Sequence, residues 1–230
     1  AAAESGWDFS TRWFEGEEFS TLRTTDLLPV DLNCLLYAME IALSVMYGAD
    51  GDIAKSQHYQ KKFEIRKKTI NQFFWNAEDN SYEDILWETG DFTGRVTAAA
   101  MCPLYFKAAT SDYARLQAET LRNELLADGG VLTTPIHSGQ QWDAPNGWAP
   151  LQWLAIRGLE HYDEGELAND IKSRWLSVNE KVFRNTGKMM EKYNVVDTTL
   201  IAGGGEYPTQ DGFGWTNGVY LGLLSDDPKY

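Results

Sequence analysis

Four segments of this sequence place carboxylates beside tryptophans and glycines: Glu4-Ser5-Gly6-Trp7-Asp8-Phe9-Ser10; Gln141-Trp142-Asp143-Ala144-Pro145-Asn146-Gly147-Trp148-Ala149-Pro150; Glu191-Lys192-Tyr193; and Gly203-Gly204-Gly205-Glu206-Tyr207-Pro208, which leads into Gln210-Asp211-Gly212-Phe213-Gly214-Trp215. Glycine lets a backbone approach a ligand closely, and an aromatic wall excludes water and keeps a neighbouring carboxyl group protonated to higher pH. Cleavage of a glycosidic bond needs such a group for the leaving oxygen, and a second, ionised carboxylate to act on water or on the sugar. No His, Cys or Ser nucleophile motif competes with these carboxylates. The three His and two Cys do not fall at metal-ligand spacing, so neither a metal nor a cofactor is implied. The nine Trp can serve core packing or form platforms for sugar rings, and composition alone does not choose.

The elements that must position these segments read as helices. From Asp31 to Tyr47, apolar residues at Leu32, Leu35, Leu36, Met39, Leu43 and Met46 keep helical spacing, and Gly48 supplies a stop. Residues 54–75 interleave Tyr59, Phe63, Ile70 and Phe73 or Phe74 with Lys and Arg, and a third helix lies between Ser111 and Gly129. Further helical patterns run over about 96–109, 149–162, 165–182 and 216–224, about seven helices in all. Short strands are expected within 81–87 and 131–134, but without βαβ alternation, which disfavours a parallel sheet. Long Gly-, Asp-, Asn- and aromatic-rich loops cover 5–23, 76–94, 129–147 and 194–215, and loops of that length are more often functional than decorative.

Several residues also have plain structural readings. Asp143 and Asp211 suit turns beside Pro145 and Gly212. Trp75, Trp153 and Trp175 fall on helical patterns and read as core, and the run Lys61, Lys62, Arg66, Lys67, Lys68 reads as a solvated helix face. Cys34 and Cys102 read as free buried thiols. A chain of 230 residues with 43% hydrophobic content can bury a sizeable core. Its net charge of -14 repels nucleic acid and anionic membrane surfaces, and no uninterrupted apolar run approaches the roughly 20 residues of a membrane span. Neither nucleic acid nor membrane is therefore an expected partner, and the chain is expected to be soluble.

At the four segments the sequence resembles the trehalase family, glycoside hydrolases built on an (α/α)6 barrel. Gln141 to Pro150 is similar to the family's second signature and Gly203 to Gly218 to its glycine-rich C-terminal signature. Ala1 to Trp13, and Arg23-Thr24-Thr25 through Pro29-Val30-Asp31-Leu32-Asn33, also look like trehalase, so the resemblance covers essentially the whole chain. It implies an all-α fold in which residues 1–230 supply roughly the C-terminal half of a single (α/α)6 catalytic domain, with long irregular loops at one end. The implied partner is the N-terminal segment of the same enzyme, which carries several sugar-binding arginines and the remaining barrel helices. About seven helices against the twelve of such a barrel is the same deficit. The start Ala1-Ala2-Ala3-Glu4 looks like a cut inside a longer chain, which leaves the compartment open between cytoplasm and periplasm. Helix faces without partners are then expected to leave an exposed apolar surface.

The activity implied by the resemblance is hydrolysis of α,α-trehalose to two glucoses by an inverting acid/base mechanism. Carried over residue by residue, Asp8 is the general acid and Glu191 the general base that activates water. Gly6 is a backbone contact near the acid, Trp142 an aromatic lining the pocket, and Glu206 a partner of sugar hydroxyls. Trp7, Phe9 and Trp13 are expected to give Asp8 an apolar setting, and Lys188 and Lys192 to favour an ionised Glu191. The run Gly203 to Gly205 is shorter than in some relatives, and Asp197 to Ala202 follows no recognised pattern. Two other readings fit the same residues: a helical-barrel glucosidase for another α-linked glucoside, distinguished by cleavage of maltose rather than trehalose, and a sugar-binding or inactive fragment, distinguished by binding without turnover.

Overall fold

Pro29 closes an extended segment, and Asp31 contributes a carboxylate to the first turn of the helix that follows, where the helix dipole favours negative charge. This helix, α1 (Val30–Ala49), is joined by residues 50–52 to α2 (Ile53–Phe73), whose N-cap is the Asp52 carboxylate accepting from the Lys55 amide at 3.0 Å. A connection that short makes the pair antiparallel. The computed structural model describes residues 1–16, 18–200 and 209–225 of the chain.

Polar and aromatic contacts hold α1 against α2. Ser44 and Ser56 exchange hydroxyl-to-carbonyl hydrogen bonds of 2.9 Å, Tyr47 stacks on Tyr59, and the buried Glu40 carboxylate takes both arms of Arg66 at 2.8 and 2.9 Å. Arg66 is therefore an inter-helix ion-pair partner rather than part of a solvated face. The buried stripe of α1 is Val30, Cys34, Tyr37, Glu40 and Ser44. Its larger aliphatic side chains, Leu32, Leu35, Met39, Val45 and Met46, face outward and are about half exposed or more. The exposed apolar surface expected from the sequence is thus found on α1. Contrary to the sequence reading of the apolar runs, α1 is also long and apolar enough, by length and composition alone, to cross a membrane. Its charged residues are nevertheless engaged within the protein, Glu40 with Arg66 and Asp31 with Arg12.

The second helical layer is α5 (Ala149–Glu160) against α6 (Gly165–Thr186), with α7 (Gly214–Ser225) packed on α5. Helix α3 (Cys102–Tyr105) packs against both α1 and α5, and α4 (Ser111–Thr120) packs against the strand Ser81–Tyr82. The helix expected over 96–109 is replaced by a 3-10 turn, Ala98–Met101, and the four residues of α3. Pro103 lacks the amide that would continue the ladder, the Ala98 amide is drawn to the Thr133 carbonyl, and Lys107 turns left-handed at φ 57°. Helix α4 continues as a single wider turn over Leu121–Leu125. Trp175 is core on α6, and Trp75 is buried on a strand rather than a helix. Both cysteines are free and buried, as expected.

Among the described residues the strands are short and antiparallel, in four pairs. They are β1 (Leu27–Leu28) with β4 (Ile85–Leu86), β2 (Trp75–Asn76) with β3 (Ser81–Tyr82), β5 (Leu126–Ala127) with β6 (Gly130–Val131), and β7 (Asn146–Trp148) with β8 (Lys192–Asn194). The Gln152 side chain of α5 fastens β6 by exchanging two hydrogen bonds with the Val131 backbone, at 2.7 and 2.8 Å.

Around the β2–β3 hairpin, Glu83 is buried, accepting from Asn76 Nδ2 at 2.8 Å and from the Gly94 amide at 2.9 Å, with Asp79 on the same Asn76 amide. Burial, with a further contribution from Asp79, pushes the Glu83 carboxyl up to about 7. The folded state therefore holds this proton more tightly than the unfolded chain does. The resulting stability is fully present below the unfolded value near 4.5 and is lost as pH rises through about 7. A shift of this size corresponds to on the order of 3 kcal/mol at most. Glu83→Gln should remove this dependence. Denaturant melts of parent and variant at pH 5 and pH 8 should show the parent losing stability relative to the variant at the higher pH. An equal difference at both values would refute this linkage.

Candidate active site

The site is assembled by the pairing of β7 with β8, in the register Asn146 with Asn194, Gly147 with Tyr193 and Trp148 with Lys192. Gly147 is required for this approach, because a Cβ there would lie 2.5 Å from Val195 Cγ1 and 3.0 Å from the Val131 carbonyl. The pairing lays residues 191–194 alongside the Gln141–Trp148 loop. Glu191 itself sits at a bend just before β8, its amide bonded to the Gln210 carbonyl at 2.9 Å. Its own carbonyl accepts from Trp215 Nε1 at 3.1 Å.

Asp143 joins the Asp8 segment to the same loop. Its carboxylate is fully buried and accepts from Ser10 Oγ at 2.8 Å, the Thr11 amide at 2.9 Å, Thr11 Oγ1 at 3.1 Å, Thr134 Oγ1 at 2.8 Å and Ser138 Oγ. Five donors from two stretches of chain compensate the burial of the charge, where an unpaired carboxylate would be costly. Asp143 fixes more than its own turn. The Trp142 amide also donates to the Phe9 carbonyl at 3.0 Å.

The tryptophans form a column across the site. The Trp7 ring stacks on Trp142 at 5.5 Å between centroids, Trp142 stacks on Trp148 at 3.8 Å and 1° between planes, and Trp215 meets both Trp142 and Trp148 edge-on. Below Trp7 lies the buried guanidinium of Arg12, over the rings of Trp7 and Trp13 at 4.5 and 4.3 Å. Arg12 makes two paired sets of hydrogen bonds, to Asp31 at 2.8 Å each and to Asp84 at 2.7 and 3.0 Å. Burial alone would lower the Arg12 pKa, but the charges of Asp31 and Asp84 outweigh it and raise it above its ordinary value. Burial likewise opposes ionisation of Asp31, and the Arg12 charge overcomes it to hold that carboxyl below its usual range. At the other end of the column, Lys192 Nζ lies 5.3 Å from the Trp148 ring centroid, 3.3 Å from Glu191 Oε2 and 3.2 Å from Gln141 Oε1.

Of the residues nominated from sequence, Asp8, Trp142 and Glu191 come together at this loop cluster. Asp8 is half-buried, with its carbonyl accepting from Gln141 Nε2, and Glu191 is 3% exposed. Trp142 is buried within the column. Gly6 is exposed and adopts φ 82°, a left-handed conformation that favours glycine. Glu206 lies outside the described residues, as does the glycine run before it. Two expectations about surroundings change. Lys188 is paired with Asp211 rather than with Glu191, and the apolar setting offered by Trp7 and Trp13 includes the Arg12 cation. Sequence reasoning did not single out Arg12, Asp84 or Gln141. Arg12 and Gln141 each stand next to a tryptophan and Asp84 does not, and only the folded contacts give the three their roles.

Fold and site together define a helical protein in which two carboxylates from separate loops are tied to one tryptophan-rich segment. A sequence model of the trehalase family matches residues 1–226. The periplasmic trehalases of Salmonella dublin and Salmonella enteritidis PT4 are each 46% identical over 225 residues, covering 97% of this chain and 40% of those proteins. The chain is also similar in structure to the neutral trehalase Nth1 from Saccharomyces cerevisiae, with a TM-score of 0.79 and 27% identity over 97% of this chain and 41% of that one. A GH63 mannosylglycerate hydrolase from Thermus thermophilus in complex with glucose shares the fold alone, at 18% identity and a TM-score of 0.66 over 87% of this chain and 48% of that one. The chain belongs to the trehalase family, a family of glycoside hydrolases. Its packed helix pairs fit an α-helical barrel-type glycosidase fold, and it spans about 40% of the length of the curated relatives it matches.

Proposed function

We propose that this chain is the C-terminal part of an (α/α)6-barrel trehalase that hydrolyses α,α-trehalose to two glucoses with inversion, Asp8 acting as general acid and Glu191 as general base. The observation that carries the reading is the anchoring of both carboxylate-bearing segments to one loop: Asp8 through Gln141, Glu191 through the pairing of β8 with β7. In this scheme Asp8 protonates the oxygen joining the two glucoses while Glu191 withdraws a proton from the water that attacks the anomeric carbon of the other glucose, on the face opposite the departing one. Gly6, Trp142 and Glu206 would contact the sugars. The outward aliphatic face of α1 and the 40% coverage of the relatives support an N-terminal segment of the same enzyme as the partner that completes the barrel and the pocket. The name of the Salmonella relatives supports a periplasmic location for the complete protein.

An inverting pair must leave room for a water, which places the two carboxyl groups roughly 6.5 to 9.5 Å apart, against roughly 5 Å in a retaining pair. Proton NMR of the complete protein acting on trehalose should show one α-glucose and one β-glucose formed at equal initial rates, because only the attacked carbon inverts. Two α-glucoses at early times would establish a retaining reaction and a different role for Glu191.

A further inference from the structure

The contacts of Lys192 are unusual for a strand residue. The side chain is fully buried, and an ammonium taken out of water is retained only where fixed acceptors replace its hydration. Consecutive residues in an extended strand point to opposite faces, so Glu191 and Lys192 would ordinarily diverge. The bend at Glu191 turns them toward each other, with Nζ 3.3 Å from Oε2. The same Nζ is 3.2 Å from Gln141 Oε1, and the other end of that amide, Nε2, donates to the Asp8 carbonyl. Gln141 is itself immobilised, buried to 1% exposure, with its carbonyl accepting from Trp148 Nε1 and Asn146 Nδ2 at 3.0 Å each. A continuous run of polar contacts therefore leads from the Glu191 carboxylate through Lys192 and Gln141 to the backbone of Asp8. A compact ammonium with three rotatable donors meets a carboxylate, an amide oxygen and a ring face at once, which the planar fork of arginine does not.

We propose that Lys192 and Gln141 form a strut that sets the position of the Glu191 carboxylate relative to Asp8, which makes Lys192 a positioning residue for the hydrolysis. The inference rests on the role of Glu191 as base. A lysine that merely filled the space over Trp148 would be replaceable by an apolar chain of equal length. A lysine that holds the base in place is not, because the carboxylate then loses the group that fixes it at the distance its water needs.

The test is kinetic and uses the complete protein with trehalose as substrate. Lys192→Met keeps an unbranched chain as far as Cε and removes the ammonium. It is expected to lower kcat about a hundredfold while KM stays within about threefold, because a misplaced base impairs the transition state more than ground-state binding. In a Glu191→Gln background the same substitution should cost almost nothing further, since Lys192 acts through Glu191. A folded Lys192→Met enzyme with kcat within about threefold of the parent overturns the strut, as do losses that simply multiply in the double variant. Should Lys192→Met fail to fold, Gln141→Leu breaks the strut with Lys192 intact. A kcat loss of about tenfold or more with unchanged KM is then expected, and parental kcat overturns the proposal. If Glu191→Gln alone retains parental kcat, it is the assignment of the base that fails, a result distinct from either outcome at Lys192.

Discussion

Glu191→Gln in the complete protein lowers kcat for trehalose hydrolysis by on the order of a hundredfold or more, and Asp8→Asn does the same, since each removes one proton transfer from the transition state. The two losses are separable by leaving group. α-Glucosyl fluoride expels fluoride with little need of a proton, so Asp8→Asn recovers most of its rate on that substrate. Glu191→Gln does not, because attacking water still has to be deprotonated. Both variants keep the volume of the parent residue. Asp8 holds Gln141 through its backbone carbonyl, which the Asn side chain leaves untouched, so the Asp8→Asn unfolding midpoint stays close to the parent, whereas Glu191→Gln takes the carboxylate from the buried Lys192 ammonium and unfolds earlier. Steady-state rates on both substrates, with a melt of each variant, check this. A Glu191→Gln enzyme within tenfold of the parent on trehalose removes Glu191 from the reaction, and equal recovery of both variants on the fluoride would mean the acid and base roles are wrongly divided.

Much of the helical frame was legible because long periodic segments carry many repeats of one signal. The helices expected at 31–47, 54–75, 149–162, 165–182 and 216–224 appear as α1, α2, α5, α6 and α7, with ends moved by a few residues. Pro103 defeats the helix pattern of 96–109 because apolar spacing does not register a missing amide. The strands are two or three residues long, too short for alternation to show, and the pair that matters most joins residues far apart in sequence. The site follows the same division. The segments rich in glycine, tryptophan and carboxylate are visible one by one, but their mutual anchoring is long-range. Asp143 reads as a turn residue, and it does bond its own loop through Thr134 and Ser138, yet Ser10 and Thr11 reach it from the other end of the chain. Lys188 reads as a neighbour of Glu191 because it is close in sequence, whereas the fold gives it to Asp211. The apolar spacing of α1 identifies a helix but not which side of it is covered. The outward face carries Leu32, Leu35 and Met39, and the buried stripe includes Glu40 and Ser44 with polar partners on α2.

The largest loss of stability is expected at Arg12. Its guanidinium is buried between two carboxylates and lies over two tryptophan rings, so Arg12→Met removes the cation that Asp31 and Asp84 share, at a site with little access to water. Breaking a buried ion pair from one side costs about 3–5 kcal/mol, because it leaves charge in the interior without its counter-ion. The consequence reaches the site. Asp84 also accepts from the Val30 amide at the start of α1, and Trp7, which loses the cation over its ring, is the residue before Asp8 and the first member of the tryptophan column. The variant should therefore unfold at markedly lower denaturant concentration, and whatever remains folded should hydrolyse trehalose more slowly. Its pH dependence distinguishes a lost charge from lost packing. In the parent, the contribution of Asp31, whose pKa is depressed in the folded state, is present above its unfolded value of 3.8 and is lost as pH falls through the folded value. In Arg12→Met the Asp31 carboxyl, no longer held by the cation, takes up a proton more readily, so the deficit against the parent should be large at pH 7 and smaller near pH 4. Neutralising the carboxyls as well, in Arg12→Met/Asp31→Asn/Asp84→Asn, should restore part of the stability at pH 7. A deficit that is the same at both pH values, and is unrelieved in the triple variant, would make Arg12 a packing residue whose charge is incidental.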